Sequence, residues 1–173
     1  MEEKVILVNE FDEPIGLQEK LAAHRQGLLH RAFSIFIFNK EGKTLLQQRS
    51  LTKYHSGGLW TNACCSHPRD GETIQAAAQR RLKEEFGFQC PLNEVFSFIY
   101  KADVGSGLFE HEFDHVLFGS YDGAIAAPNP EEIESYRWVT MQALEKELEQ
   151  HPERFTTWFR IIFAENRAYM SRF

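Results

Sequence analysis

A chain of 173 residues with 43% hydrophobic side chains matches the size of one domain around a single sizeable core, so residues 1–173 are expected to fold as one unit. The net charge of -6 excludes a nucleic-acid binder held by a basic stripe, because phosphate neutralisation needs clustered Lys and Arg, but a few converging cations suffice for a small anion. No apolar run reaches the roughly 20 residues of a membrane-spanning helix, and Met1-Glu2-Glu3-Lys4 lacks the basic-then-apolar order of a secretory signal. Adjacent Cys64 and Cys65 with a lone Cys90 make a poor disulfide framework and suit a reducing, cytoplasmic setting.

In chain order, residues 4–8 read as a short strand, followed by a turn through Asp12, Glu13, Pro14 and Gly16, and 18–23 as one helical turn or two. The Phe- and Ile-rich stretch 31–38, the turn residues 39–43 and the run 44–48 predict a hairpin. From 50 to 70 the chain is irregular, broken by Gly57, Gly58 and Pro68, yet it carries both neighbouring cysteines and His67; irregular segments on a scaffold often carry function. Asp70-Gly71-Glu72-Thr73 supplies caps for a helix whose Ile74, Ala77, Ala78, Leu82 and Phe86 fall near helical spacing and which Gly87 can end. Strands are expected over 94–100 and 110–120 around Gly105-Ser106-Gly107, a weaker one over 133–139, and closing helices over 141–150 and 155–169. Strands and helices mixed without strict alternation fit an α/β or α+β sandwich around a mixed sheet.

Three groups of residues carry chemistry. On the 72–87 helix Arg81 and Glu85 are four apart and meet on one face, which alone is an ordinary surface ion pair. Glu110 and Glu112, two apart in a strand, leave the same face while His111 points away. With His24, His30 and His67 they would make a shell for Zn²⁺, Mn²⁺ or Mg²⁺, although each taken singly reads as a surface or capping group. Cys65 beside Cys64 reads, by itself, more readily as a buried sulfur near a structural imidazole. Glu72, seven residues, then Arg80-Arg81-Leu82-Lys83-Glu84-Glu85-Phe86-Gly87 resembles the Nudix box, whose helix holds a divalent metal against a diphosphate. Ser66 stands where the box begins with Gly, and Arg81 where hydrolases carry Glu. That change removes a carboxylate used on metal or water and puts phosphate-bond hydrolysis in doubt.

Taken together, the stretch 20–24, Leu29-His30-Arg31-Ala32-Phe33-Ser34, Thr61-Asn62 with Cys65-Ser66-His67-Pro68, the altered Nudix helix, Glu110-His111-Glu112 and Thr157-Trp158-Phe159 resemble the type 1 isopentenyl diphosphate isomerases over nearly the whole chain. The resemblance implies a Nudix-like α/β/α sandwich and the interconversion of isopentenyl and dimethylallyl diphosphate through a tertiary carbocation. It implies one divalent ion at His24, His30, His67, Glu110 and Glu112, and a Mg²⁺ near Glu85 with the substrate diphosphate. Lys20, Arg49, Lys53 and Arg81 would meet that diphosphate, and Trp158, otherwise a core-packing indole, would stabilise positive charge. Cys65 and Glu112, the latter assisted by Tyr100, would give and take protons; Glu112 is favoured as the alkene's acid, and reversibility requires both to exchange roles. Tyr54-His55-Ser56-Gly57-Gly58 departs from the family pattern, which carries Pro before the Gly, and reads as a loop variation of little chemical consequence. A monomer or weak dimer is expected. The rivals are a Nudix hydrolase, against which Arg81 and Cys65 speak, and a non-catalytic metal-binding module, which leaves Glu85, Arg81 and Cys65 without a task.

Overall fold

The computed structural model describes residues 3–126 and 128–170, in which nine strands make one mixed sheet. Its middle is β3 (His30–Phe38), a run apolar enough to be buried on both faces. Phe33, Ile35 and Ile37 face one core with Ala77, Ala78, Leu82 and Phe86 of helix α2 (Ile74–Phe86); Phe36 and Phe38 face another with Leu144 of α3 (Met141–Gln150) and Phe159 and Ile162 of α4 (Thr157–Glu165). Each buried Leu, Ile or Phe among them contributes about 1.5–3 kcal/mol by leaving water. The sandwich expected from the mixed pattern is therefore built, and none of its described helices is long and apolar enough to cross a membrane.

The strands around β3 set the site. Along one edge β8 (Leu108–Ser120) runs parallel to it, and β8 pairs antiparallel with β7 (Leu92–Gly105) across a turn in which Gly105, Ser106 and Gly107 all have positive φ. Both strands are longer than the sequence pattern suggests. The other edge is shared: β1 (Lys4–Val8) meets β3 at His30, β6 (Cys64–Ser66) pairs with Phe33 to Ile35, and β4 (Lys43–Arg49) joins at Phe38. The expected β3–β4 hairpin thus parts after its turn. β4 instead pairs along its length with β9 (Ile133–Thr140), and with β5 (Trp60–Thr61).

Two further expectations are corrected. Pro14 and Gly16 do not lie in a turn but in β2 (Pro14–Glu19), an edge strand where Pro, as first residue, costs no ladder hydrogen bond. The closing helix 155–169 is interrupted: Thr156 caps α4 through its side chain, so Phe155 lies outside, and Asn166 separates α4 from α5 (Arg167–Met170). Helix α2 behaves as its caps predict, with Thr73 accepting from Ala76 N and Gly87 in the left-handed region at φ 78°. A last helix, α1 (Lys20–Gln26), starts where Glu19 accepts from Leu21 N and Ala22 N and ends at left-handed Gly27, which sets buried His24 against β8.

Candidate active site

Register brings the candidate residues together. Glu112 on β8 lies level with His30 on β3 and Tyr100 on β7. Strand alternation puts Glu110 on its face, while His111 turns away and meets the Gly27 carbonyl at 2.9 Å. Helix α1 adds His24, and the chain just past β6 adds His67. The three imidazole rings stand 4.9–5.8 Å apart. Nε2 of His24 is 3.2 Å from Glu110 Oε2, Nε2 of His67 is 3.0 Å from Glu112 Oε1, and Nε2 of His30 is 3.6 Å from the same oxygen. All five residues are nine-tenths or more buried.

These donors fit a divalent cation. The Nδ1 of His24 donates to Lys20 O at 2.7 Å and that of His30 to Leu28 O at 2.8 Å. Each Nε2 is left with a lone pair facing the carboxylates, the arrangement that backbone carbonyls impose on ligating histidines. His30 Nε2 and Glu110 Oε2 are buried without a hydrogen-bond partner among the described residues. The ligand atoms of His24, His30, His67 and Glu112 lie within 4.8 Å of one another; an ion about 2.1 Å from each would space neighbouring ligands at about 3 Å and opposite ones at about 4.2 Å.

Cys65 enters from β6, on the other side of β3 from Glu112, and lines the same cavity of about 420 Å³. Its neighbour Cys64 faces the opposite core, as alternation requires, but is not in a purely apolar setting: its thiol donates to Glu85 at 3.2 Å. Asn62 fixes the Cys65 thiol. Its amide donates to Ile35 O and Cys64 O, which leaves Oδ1 to accept from Cys65 Sγ at 3.0 Å. Ser34 Oγ is 3.5 Å from the same sulfur and donates to buried Asp114 at 2.8 Å. Burial first, then the Asp114 charge, push the Cys65 thiol up to about 12. Burial also works to raise Glu112, but the nearby His30 imidazole, with the Tyr100 hydroxyl donating at 2.6 Å, outweighs it and holds the carboxyl below its ordinary value. Burial pushes the Tyr100 phenol and the Asp114 carboxyl up and the His67 imidazole down. These shifts favour the proton on Cys65 over Glu112.

The expected diphosphate contacts Lys20, Arg49, Lys53 and Arg81 all line this cavity. They already hold partners: Lys20 binds Glu3 at 3.1 Å, Lys53 binds Glu132, and Arg81 binds Glu85 at 2.6 Å and Glu132 at 3.3 Å. The Arg49 guanidinium stands 5.0 Å over the Trp158 ring, whose Nε1 donates to Thr61 Oγ1 at 3.1 Å. The indole thus already carries one cation. Glu85 is the outlier. It is 3% exposed, sits behind Arg81, and takes hydrogen bonds from Arg81, Gln47 and Cys64, so neither oxygen is open to Mg²⁺ while Arg81 holds its place.

The sequence reading missed His55 and Glu132. His55, set aside as loop variation, has its side chain 6% exposed and its Nε2 3.4 Å from Glu110 Oε1; burial, the largest influence, lowers its imidazole to about 4. The only signal was an imidazole two residues after the expected cation Lys53 and just ahead of Gly57-Gly58. Glu132, in the turn before β9, had no local signal.

A protein-family model described as the NUDIX domain matches residues 28–159. The isopentenyl-diphosphate Delta-isomerase of Serratia proteamaculans is 54% identical over 165 residues, 95% of this chain and 92% of that protein. The protein of the same name from Burkholderia multivorans is 50% identical, covering 94% and 92%. Among solved structures, DR0079 from Deinococcus radiodurans superposes with a TM-score of 0.69 at 24% identity over 86% of this chain and 90% of that one. A MutT protein from Methanosarcina mazei Go1 does so at 0.65 and 21%, over 82% and 95%; both establish the fold.

Proposed function

The chain belongs to the Nudix family and, within it, to the isopentenyl-diphosphate Delta-isomerases, and on that premise we propose that Cys65 and the Tyr100–Glu112 pair move the protons of the reaction. The enzyme interconverts isopentenyl diphosphate and dimethylallyl diphosphate in isoprenoid biosynthesis. The alkene is unactivated, so a proton must add to its terminal carbon, leaving a tertiary carbocation, and a second proton must leave the carbon on the other side of that centre. This takes an acid, a base and a site closed to water. The observation that carries the reading is that Cys65 and Glu112 reach one cavity from opposite sides of β3.

In the resting distribution Cys65 gives the first proton and Glu112 receives the second, the reverse of the order favoured from sequence. One turnover leaves the thiolate and the carboxylic acid, which is the starting state for the reverse direction; exchange with solvent resets the pair. Tyr100 orients the receiving carboxylate, and Asn62 orients the thiol. Lys20, Arg49, Lys53 and Arg81 anchor the diphosphate, each exchanging a carboxylate or ring partner for phosphate oxygen. Trp158 supplies an aromatic face to the cation, worth about 0.5–2 kcal/mol.

A divalent ion at His24, His30, His67, Glu110 and Glu112, whether Zn²⁺, Mn²⁺ or Mg²⁺, would supply fixed positive charge that positions both carboxylates and favours the ionised resting form of Glu112, from which it takes up the proton. Mg²⁺ accompanying the diphosphate belongs to the same reading, with Glu85 as its protein ligand, and requires Arg81 to leave that carboxylate. The free cysteines Cys64, Cys65 and Cys90 support a cytoplasmic setting. The test is product analysis after incubation with isopentenyl diphosphate: dimethylallyl diphosphate without phosphate release is expected. Release of phosphate would return the chain to the hydrolases of its family.

A further inference from the structure

The loop 50–58 is shaped to bring one imidazole inward. Arg49 N donates to Leu59 O and Gly58 N to Arg49 O, closing its neck. Ser56 has φ 54° and Gly58 φ 78°, and a Cβ at Gly57 would meet the carbonyl oxygens of Leu51 and Ser50 at 3.1 and 3.2 Å. A non-Gly residue held in the left-handed region costs free energy and persists where its surroundings demand it. What the tight closure delivers is His55. Its ring packs edge-on to Tyr54 at 4.6 Å and to Trp158 at 5.8 Å.

The polar surroundings of this ring are lopsided. Ser56 Oγ lies 3.2 Å from Nδ1, and Nε2 points at Glu110 Oε1, 3.4 Å away. On the carboxylate's other side His24 Nε2 stands 3.2 Å from Oε2, its Nδ1 proton already given to Lys20 O. Two imidazoles therefore bracket one buried carboxylate; the Lys20 carbonyl leaves neutral His24 with its Nε2 lone pair toward Glu110, and a cation held among the three satisfies both rings and the carboxylate. The ligand atoms of His24, His55 and Glu110 indeed lie within 4.8 Å of one another. His24 also belongs to the set with His30, His67 and Glu112. One Nε2 lone pair binds one ion, so an ion held by His24 takes ligands from both sets only if His55 and Glu110, which lie outside the first set's 4.8 Å limit, close in on it.

We propose that His55 is a fourth imidazole ligand of the divalent ion at this site, delivered by the 50–58 loop. The proposal rests on the metal reading above and extends it to a residue outside the expected ligand set. It also ties the ion to the substrate site, since the same loop carries Lys53 and Arg49 donates to His55 O at 3.3 Å.

The experiment uses the full chain loaded with Zn²⁺ or Co²⁺, as wild type, His55→Ala and His24→Ala. X-ray absorption counts the imidazole ligands, and competition with a chelator measures affinity. Four imidazoles in the wild type, three in His55→Ala, and at least a tenfold weaker hold on the ion in that variant are expected. Three imidazoles in the wild type, with affinity unchanged in His55→Ala, overturn the assignment; if His24→Ala at the same time releases the ion, the metal reading stands and His55 alone is removed. A wild type that binds no ion overturns both. The wild-type count does not depend on any variant folding, and melting curves of the two variants check that lost affinity is not lost structure.

Discussion

Replacing Cys65 by serine, with Cys64→Ser as its partner, separates chemistry from packing at two adjacent positions. The Cys65 sulfur has Asn62 Oδ1 at 3.0 Å and Ser34 Oγ at 3.5 Å. A hydroxyl retains both neighbours, and the position is only partly buried among apolar atoms, so the expected stability change is under about 1 kcal/mol, or a melting shift of at most about 4 °C in a chain of this size. The loss is chemical, because a hydroxyl gives up its proton far less readily than a thiol. Removing one general acid–base group costs about 10²–10⁴ in rate, equivalent to about 2.7–5.4 kcal/mol of barrier. Cys64 is fully buried, in the core under α2, where its sulfur donates to Glu85 at 3.2 Å, and a serine on its shorter C–O bond keeps that donor at a longer reach. Its variant is expected to lose some stability and keep its rate within about threefold, far below the loss of an acid–base group. Isomerisation rates and melting curves on the same samples decide it. A Cys65→Ser enzyme within tenfold of wild type, or a Cys64→Ser enzyme that melts normally yet is inactive, would refute the assignment of the two faces.

If Arg81 anchors the diphosphate as proposed, Arg81→Ala raises KM with little change in kcat, because that contact is made before as well as during chemistry; it also leaves Glu85 with two donors instead of three, so a lower melting temperature should accompany it. An unchanged KM places Arg81 outside the substrate site. At Glu132, burial works upward but Lys53 and Arg81 together hold the carboxyl below its ordinary value. A folded value below the unfolded one contributes stability above the unfolded pKa of about 4.3, lost as pH falls through the folded value. Urea titrations should therefore show wild type losing its advantage over Glu132→Gln below about pH 4; a constant difference contradicts this. Exhaustive chelation, verified by elemental analysis, should abolish isomerisation and lower the melting temperature, since an ion at about 100 times its Kd adds about 2.7 kcal/mol to the folded state. Full activity without metal removes the ion from the account.

Much of the site could be read before any coordinates because its residues sit on regular elements. Two-residue alternation placed Glu110 with Glu112 and against His111, and the same rule parted Cys64 from Cys65. Helical spacing of four placed Arg81 on Glu85, where the contact is 2.6 Å. That Glu112 would lie beside His30 depended on a pairing across more than eighty residues, which no local pattern encodes; family likeness supplied it. What stayed hidden depends on tertiary context. Pro14 and Gly16 carry turn chemistry yet sit on an edge strand that tolerates them. β3 and β4 look like a simple hairpin, but β6 takes up the middle of one edge of β3 and β9 the length of β4. His55 lies in a loop whose inward fold is set by Ser56 and Gly58, and an irregular loop has no periodicity from which a side chain's direction follows. Glu85 and its donor Arg81 could be placed on their helix, but not the other two donors, Gln47 and Cys64, which come from strands.

The central claim is that this cavity moves protons on a substrate whose diphosphate stays intact, and incubation with isopentenyl diphosphate in D₂O, followed by NMR of both isomers and assay of free phosphate, tests it most directly. The account predicts deuterium in the dimethylallyl methyl group and, through the reverse reaction, in recovered isopentenyl diphosphate, with no phosphate released. Dimethylallyl diphosphate formed without solvent deuterium, or phosphate released in place of the label, would contradict it.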